Sequence, residues 1–121
     1  MDCTFCKIIN GSIPSYTIYE DDIVKVFLDI EPHSNGHMLI ISKKHYVDIM
    51  DIDSDVLIYI YKEIASKMYK LLQDRLGADG LHIGQNNGIA EEVKHYHVHL
   101  IPIYKRDYEL IDVKEIYEKL K

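Results

Sequence analysis

Cysteine and long apolar runs are scarce in this 121-residue chain. It has only two cysteines, Cys3 and Cys6, which excludes the disulfide framework that stabilises many small secreted domains. It lacks the roughly 18 to 20 consecutive apolar residues that a membrane-spanning helix needs, so we expect no membrane association. Because Met1 and Asp2 open the chain in place of a basic segment followed by an apolar one, we expect a cytoplasmic protein.

Concentrated positive charge is also lacking. The formal net charge is −6, and the Lys and Arg residues form no block that could follow a phosphate backbone, so a nucleic acid polymer is not an expected partner. A small phosphorylated ligand could still be held locally by backbone N–H groups or single lysines. Hydrophobic residues make up 47% and charged residues 28% of the chain, which is typical of a folded protein, and its length predicts one domain over residues 1–121.

The hydrophobic pattern predicts an α+β fold. Apolar and β-branched residues between turn residues predict about five strands, over 17–20, 23–28, 37–42, 81–83 and 98–103. Apolar residues at helical spacing predict one long helix over 54–76, which Asp53 or Ser54 would cap and Gly77 would end. Short helices are expected over 4–9 and, at the C-terminal end, 113–120. The expected architecture is an antiparallel β-sheet with the helices packed on one face.

Three histidines alternate in one of the predicted strands. His95, His97 and His99 are separated by single apolar residues. On a strand, residues two apart project from the same face with Cα atoms about 6.5 to 7 Å apart, so we expect the three imidazoles on one side. Imidazoles packed together reduce stability unless a function uses them. The pattern therefore indicates a catalytic or metal-binding site.

Two kinds of chemistry fit this spacing. The three histidines could ligate one zinc ion and leave an open position for an activated water, as in a zinc-dependent metallohydrolase. Alternatively, one neutral imidazole could be a nucleophile while its neighbours set its tautomer, bind phosphate oxygens and assist the leaving group. The spacing alone is compatible with both.

Several segments together carry a resemblance to a known family. His95 to Ile101 matches the pattern His-x-His-x-His followed by two apolar residues. Further short segments carry the same resemblance, at residues 3–9, 13–14, 19–22, 27–30, 36–45 and 86–88. Over residues 3–102 the chain resembles the histidine triad (HIT) superfamily and, within it, the Hint-like bacterial HIT-family nucleotide hydrolases. The resemblance implies a HIT-like fold and a homodimer formed through the long helix and a neighbouring strand.

The resemblance also implies a reaction. Such proteins act on the α-phosphate of purine nucleoside phosphoramidates or dinucleoside polyphosphates, so the expected partner is a small AMP or GMP derivative and no cofactor is expected to be required. His97 would attack phosphorus and form a nucleotidyl-histidine intermediate that water hydrolyses. His95 would orient His97 through its backbone carbonyl, and His99 would lie against the phosphate. The implied nucleotide-binding residues are Phe5, Ile9, Phe27 and Ile30 for the base, Asp29 for the ribose and Asn86 for the phosphate.

The segment before the triad departs from the family pattern. It reads Ala90-Glu91-Glu92, whereas relatives commonly have Ala-Gly-Gln before a Ser or Glu, and the preceding turn is about two residues shorter. The resemblance places Glu91 and Glu92 among the expected nucleotide-binding residues. A carboxylate near the scissile bond would repel a polyphosphate. Glu91 therefore faces solvent, or is protonated and acts as an acid, or the substrate carries less negative charge; on this ground we favour a phosphoramidate. The departure also leaves open a nucleotide-binding protein with weak or no turnover.

The two cysteines have the spacing of half a structural zinc site. Two ligands cannot complete tetrahedral coordination, and the alternative is a pair of free thiols. The resemblance suggests that His45 and His95 join Cys3 and Cys6 in such a site.

The remaining histidines are expected to be structural. His37 should satisfy a local hydrogen bond near its turn, and His33 and His82 should be exposed.

Overall fold

The predicted strands form one antiparallel sheet of five strands in the order β1-β2-β3-β5-β4. We describe the protein from a computed structural model of residues 3–121, and the expectation drawn from Met1 and Asp2 lies outside that range. The strands are β1 (Thr17–Glu20), β2 (Val24–Leu28), β3 (Met38–Ser42), β4 (Gly80–Gly84) and β5 (His97–Ile103). The α-helices are α1 (Thr4–Ile9), α2 (Ser54–Ile58), α3 (Ala65–Leu76) and α4 (Val113–Leu120).

The long helix has the predicted ends but an irregular interior. The carboxylate of Asp53 accepts the N–H of Asp55 at 2.9 Å and caps α2, and Gly77 ends α3 in the left-handed conformation with φ 69°. Between α2 and α3 the chain forms a π-helical turn, Tyr59–Ile64, which the sequence did not predict. No helix within residues 3–121 has both the length and the apolar character needed to cross a bilayer.

The two faces of the sheet carry different layers. On one, which we call the helix face, the long helix and α4 cover apolar side chains such as those of Val26, Ile40 and Leu100, each 0% exposed. On the other, which we call the cleft face, α1 packs against Phe27 and other apolar side chains of β2 and β3. The expectation that all helices pack on one face therefore holds for the long helix and α4 but not for α1, which lies on the opposite side.

Candidate active site

The triad histidines lie where β5 begins. β5 starts at His97, and His95 lies in a bend before it. The N–H of His95 donates to the Val93 carbonyl at 2.8 Å, and a hydrogen bond between residues two apart in the chain is not part of the pairing between strands. The rings nevertheless share the cleft face. The Phe5 ring lies 5.9 Å from the His95 ring and 5.0 Å from the His97 ring, and the His97 and His99 rings are 5.1 Å apart.

A single backbone contact determines the tautomer of His97. Its Nδ1 lies 2.8 Å from the carbonyl oxygen of His95. A carbonyl oxygen can only accept, so Nδ1 carries the proton, and in the neutral ring the lone pair is on Nε2. The bend that takes His95 off the strand thus presents the carbonyl that leaves Nε2 of the neighbouring imidazole with a free lone pair.

A fourth histidine, His37, belongs to the site. The backbone N–H of His33 donates to His37 Nδ1 at 3.0 Å, so the neutral His37 ring carries its proton on Nε2. That nitrogen lies 3.0 Å from His99 Nδ1, which must accept, so His99 in turn carries its proton on Nε2. This pair of contacts prepares His99 as a donor to an anionic ligand.

Burial keeps the rings of His37 and His99 uncharged near neutral pH. It lowers the pKa of His37 to about 4, against the opposing effect of the Asp29 carboxylate at 3.6 Å. Burial and the neighbouring His97 ring lower the pKa of His99. His37 was expected to be structural, with a local hydrogen bond, and that bond is present. Its contact with His99 was not expected, because the two residues are 62 positions apart and the only sequence signal at His37 is the family-like segment 36–45. His33 and His82 are exposed, as expected.

Four potential zinc ligands converge beside α1. The sulfur atoms of Cys3 and Cys6 lie 3.3 and 3.5 Å from His95 Nδ1, and Cys6 Sγ lies 3.3 Å from His45 Nδ1. All four ligand atoms lie within 4.8 Å of one another. His95 Nε2 donates to the Ser42 carbonyl at 2.6 Å, which leaves the Nδ1 lone pair directed at the sulfur atoms. This donor set fits a tetrahedral zinc ion.

Without a cation, burial favours the uncharged forms of Cys6 and His95. Burial, together with the neighbouring Cys3, raises the pKa of the Cys6 thiol to about 11, and burial lowers the pKa of His95. A metal ion binds thiolate rather than thiol, so its binding to this cluster would release protons.

A cleft of about 650 Å³ opens on the cleft face at His97 and His99. Six of the eight predicted nucleotide-binding residues line it: Phe5, Phe27, Asp29, Ile30, Asn86 and Glu92. Ile9 does not, because helical spacing places Ile8, three residues after Phe5, over the sheet, and Ile8 lines the cleft instead.

Glu91 is also outside the cleft. A short 3₁₀ turn, in which the Glu91 N–H donates to the Gly88 carbonyl at 3.1 Å, directs its side chain inward and leaves that side chain 0% exposed. Neither carboxylate oxygen has a hydrogen-bond partner within residues 3–121, although Lys94 Nζ lies 3.8 Å from one of them. The structure therefore places the Glu91 side chain away from the cleft in which a nucleotide was expected to contact it, and the alternative that Glu91 faces solvent is wrong; Glu92 lines the cleft.

Comparisons with known proteins identify the family of the chain. The HIT domain family matches residues 10–106. The uncharacterized HIT-like protein MJ0866 of Methanocaldococcus jannaschii is 43% identical over 116 residues, which cover 94% of this chain and 88% of that protein. Adenosine 5'-monophosphoramidase HNT1 of Saccharomyces cerevisiae is 43% identical over 107 residues, which cover 87% of this chain and 63% of the yeast protein.

Solved structures share the fold. A zinc-bound histidine triad family protein from Mycobacterium smegmatis superposes with a TM-score of 0.91 at 32% identity, covering 99% of this chain and 91% of that one. The matched family covers most of the chain, and the triad lies at the cleft. The chain therefore belongs to the HIT family.

Proposed function

We propose that this protein hydrolyses purine nucleoside phosphoramidates through attack of His97 on the α-phosphorus. The observation that carries the proposal is the hydrogen bond from His97 Nδ1 to the His95 carbonyl, which leaves Nε2 free as the nucleophile beside the cleft. The similarity to a yeast adenosine 5'-monophosphoramidase supports the substrate class.

The reaction has two displacements. In the first, His97 Nε2 forms a bond to phosphorus while the P–N bond of the substrate breaks, and the departing nitrogen takes one proton from water and leaves as the amine. The nucleotidyl-imidazolium keeps its Nδ1 proton on the His95 carbonyl, which stabilises the positive charge. In the second, water attacks phosphorus, the bond to His97 breaks, and the proton of the attacking water returns to solvent. The products are the nucleoside monophosphate, the amine and the unchanged enzyme.

The cleft residues provide the binding. Phe5, Phe27 and Ile30 form apolar walls for the purine, and the Asp29 carboxylate accepts from the ribose hydroxyls. The Nε2–H of His99 donates to a phosphate oxygen, because its Nδ1 is held by His37. Asn86 is placed to donate to the phosphate as well.

The geometry does not support the alternative in which three histidines hold a catalytic zinc. Two groups of metal-ligand atoms converge within 4.8 Å among residues 3–121, and neither contains His97. A nucleotide-binding protein without turnover is the remaining rival, and it predicts binding without a covalent intermediate.

The test compares a fluorogenic adenosine phosphoramidate with a diadenosine polyphosphate, with the wild type and His97→Ala. We expect turnover of the phosphoramidate, an acid-labile adenylyl label on the wild-type protein in a rapid quench, and neither in the variant. Nucleotide binding with no label and no turnover would favour the binding protein. A strong preference for the diadenosine polyphosphate would contradict the substrate class.

We further propose that Cys3, Cys6, His45 and His95 hold a structural zinc ion. The proposal is supported by the converging ligand atoms and by the zinc-bound relative from M. smegmatis. The ion would supply a link between α1 and the segment that presents the His95 carbonyl to His97. Metal analysis of untagged protein purified without chelator should find about one zinc per chain, and less than about a tenth would exclude the proposal.

We also propose a homodimer. β4 is an edge strand with Ile83 39% exposed, and the long helix exposes Ile58 and Tyr61. Sedimentation equilibrium should give twice the chain mass, and a monomer at high micromolar concentration would contradict this.

A further inference from the structure

The charged side chains that line the cleft are all acidic. They are Asp29, Glu31 and Glu92, and within residues 3–121 no lysine or arginine lines the cleft. Lys94, two positions after Glu92, is turned away: its Nζ donates to the Gly88 carbonyl and lies 3.8 Å from Glu91 Oε1. A substrate with several phosphates would meet three carboxylates and no fixed cation. A substrate with one phosphate and a positive charge elsewhere would be electrostatically matched.

The carboxylates come from two separate segments of the chain. Asp29 and Glu31 belong to the loop after β2, beside the apolar walls proposed for the nucleoside, and Asp29 accepts the Glu31 N–H at 2.8 Å. Glu92 comes from the segment between β4 and β5, together with Ala90, which also lines the cleft. If the nucleoside lies against the walls beside Asp29 and Glu31, the part of the cleft lined by Glu92 is left for the group that departs from phosphorus.

The carboxylate of Glu92 is free to meet a ligand. No hydrogen bond or ion pair within residues 3–121 engages it, and the residue is exposed. It is also close enough to the phosphate-binding ring to affect it. Burial is the main cause that lowers the pKa of His99, and the negative charges of Asp29 and Glu92 act in the opposite direction.

We propose that the part of the cleft lined by Glu92 is a leaving-group subsite that selects amines carrying an additional positive charge, with Glu92 as the specificity-determining residue. The inference rests on the proposed phosphoramidate hydrolysis and narrows its substrates to nucleoside phosphoramidates of diamines or of basic amino acid side chains. The P–N bond that breaks is the same as before. The second ammonium group, which does not react, lies against the carboxylate.

The experiment uses three adenosine phosphoramidates whose leaving amines differ in charge. Propylamine supplies a neutral group, 1,3-diaminopropane a cationic one and β-alanine an anionic one. For the wild type we expect kcat/KM to fall in the order cationic, neutral, anionic, with roughly a fivefold step from cationic to neutral at low salt, because the carboxylate is exposed. The step should shrink above about 0.5 M salt, where charges are screened over a few ångströms.

Two variants separate the effect of Glu92 from intrinsic differences between the amines. In Glu92→Gln the ratio of cationic to neutral kcat/KM should fall to nearly 1, and in Glu92→Lys the order should reverse in favour of β-alanine. Glu63→Gln, an exposed change in the π-helical turn away from the cleft, should leave the ratio as in the wild type.

The outcomes distinguish the two proposals. Equal kcat/KM for the three substrates in the wild type, or ratios that Glu92→Gln and Glu92→Lys do not change, would overturn the assignment of Glu92 and leave phosphoramidate hydrolysis intact. If the wild type hydrolyses none of the three substrates, the proposed function is refuted, and this inference with it.

Discussion

The side chains on the two faces of β5 contact different kinds of partner. On the helix face, Val98 and Leu100 are 0% exposed and belong to the main core. On the cleft face, His97 and His99 contact polar groups, among them a His37 ring far away in the sequence. Alternation with a period of two is enough to assign a residue to a face. It does not tell which distant groups will meet the residues of the polar face.

The difference implies that changes on the two faces have separable effects. Side chains on the helix face contribute to the free energy of unfolding, and those on the cleft face to turnover. Substitutions in one strand can therefore test whether stability and chemistry are as cleanly divided as the structure indicates.

The largest effect is expected for His97→Ala. Removal of the nucleophile should lower kcat/KM on an adenosine phosphoramidate by at least about a thousandfold. The free energy of unfolding should fall by only about 1 to 2 kcal/mol, because the ring, although 5% exposed and in contact with Phe5, makes one hydrogen bond and borders the cleft. Steady-state kinetics and urea unfolding on the same preparations measure both. Turnover near the wild-type level would contradict the assignment of His97 as the nucleophile.

Leu100→Ala should show the opposite pattern. Leu100 is fully buried, and deletion of its side chain should reduce the free energy of unfolding by about 3 to 5 kcal/mol. The fraction that remains folded should keep a kcat/KM within a few fold of the wild type. Ile103→Ala is the matched control, since Ile103 lies on the same strand and is 52% exposed; it should cost less than about 1 kcal/mol. Equal losses of unfolding free energy in Leu100→Ala and Ile103→Ala would contradict the expectation that burial on the helix face determines the contribution to stability.

Much of the fold could be predicted because its determinants are local. The strand bounds agree within one or two residues, Asp53 and Gly77 cap the long helix, and the five-stranded antiparallel sheet is as expected. The π-helical turn was missed because its hydrophobic spacing differs by only one residue from that of an α-helix. The position of α1 was missed because a helix of six residues does not reveal which face of the sheet it covers.

The candidate site was predictable only as a set of residues. The triad pattern identified His97, and the resemblance implied its contact with the His95 carbonyl, which the structure contains; the bend that presents this carbonyl has no signal in the residues before β5. The contact of His37 with His99 joins the residue before β3 to β5, and the inward orientation of Glu91 results from a 3₁₀ turn. The first and third depend on local backbone hydrogen bonds and the second on a tertiary contact, and hydrophobic periodicity and residue spacing contain neither.

A smaller effect is expected in the pH dependence of the free energy of unfolding, through His37 near the cleft face. The folded pKa of His37 is lowered to about 4, whereas its unfolded value is near 6.5. Between these values the unfolded chain binds the proton and the folded chain does not, so stability is complete above about pH 6.5 and falls as the pH decreases to about 4, by at most about 3 kcal/mol. His37→Gln should flatten this part of the curve.

Urea unfolding from pH 4 to pH 8 measures the difference between the two curves. His82→Gln is the control, because His82 is exposed, and its curve should run parallel to that of the wild type. If the curve for His37→Gln is also parallel to the wild type, burial of that ring is not linked to folding, and the polar face contributes less to stability than its contacts indicate.

The smallest effect concerns Gly36, which connects the two faces. Its φ is +93°, and an added Cβ would lie 2.8 Å from Leu72 Cδ2 and from Leu76 Cδ1 on the helix face, while the next residue, His37, reaches the cleft face. Gly11 has a similar φ of +87° with nothing within 4 Å of an added Cβ, so Gly11→Ala isolates the backbone cost of about 1 kcal/mol. Gly36→Ala should cost about 1 kcal/mol more in urea unfolding, because the leucine side chains must move. Equal costs would mean that the helix layer yields freely at this point, and that the core is less tightly coupled to the turn that carries His37 than its packing indicates.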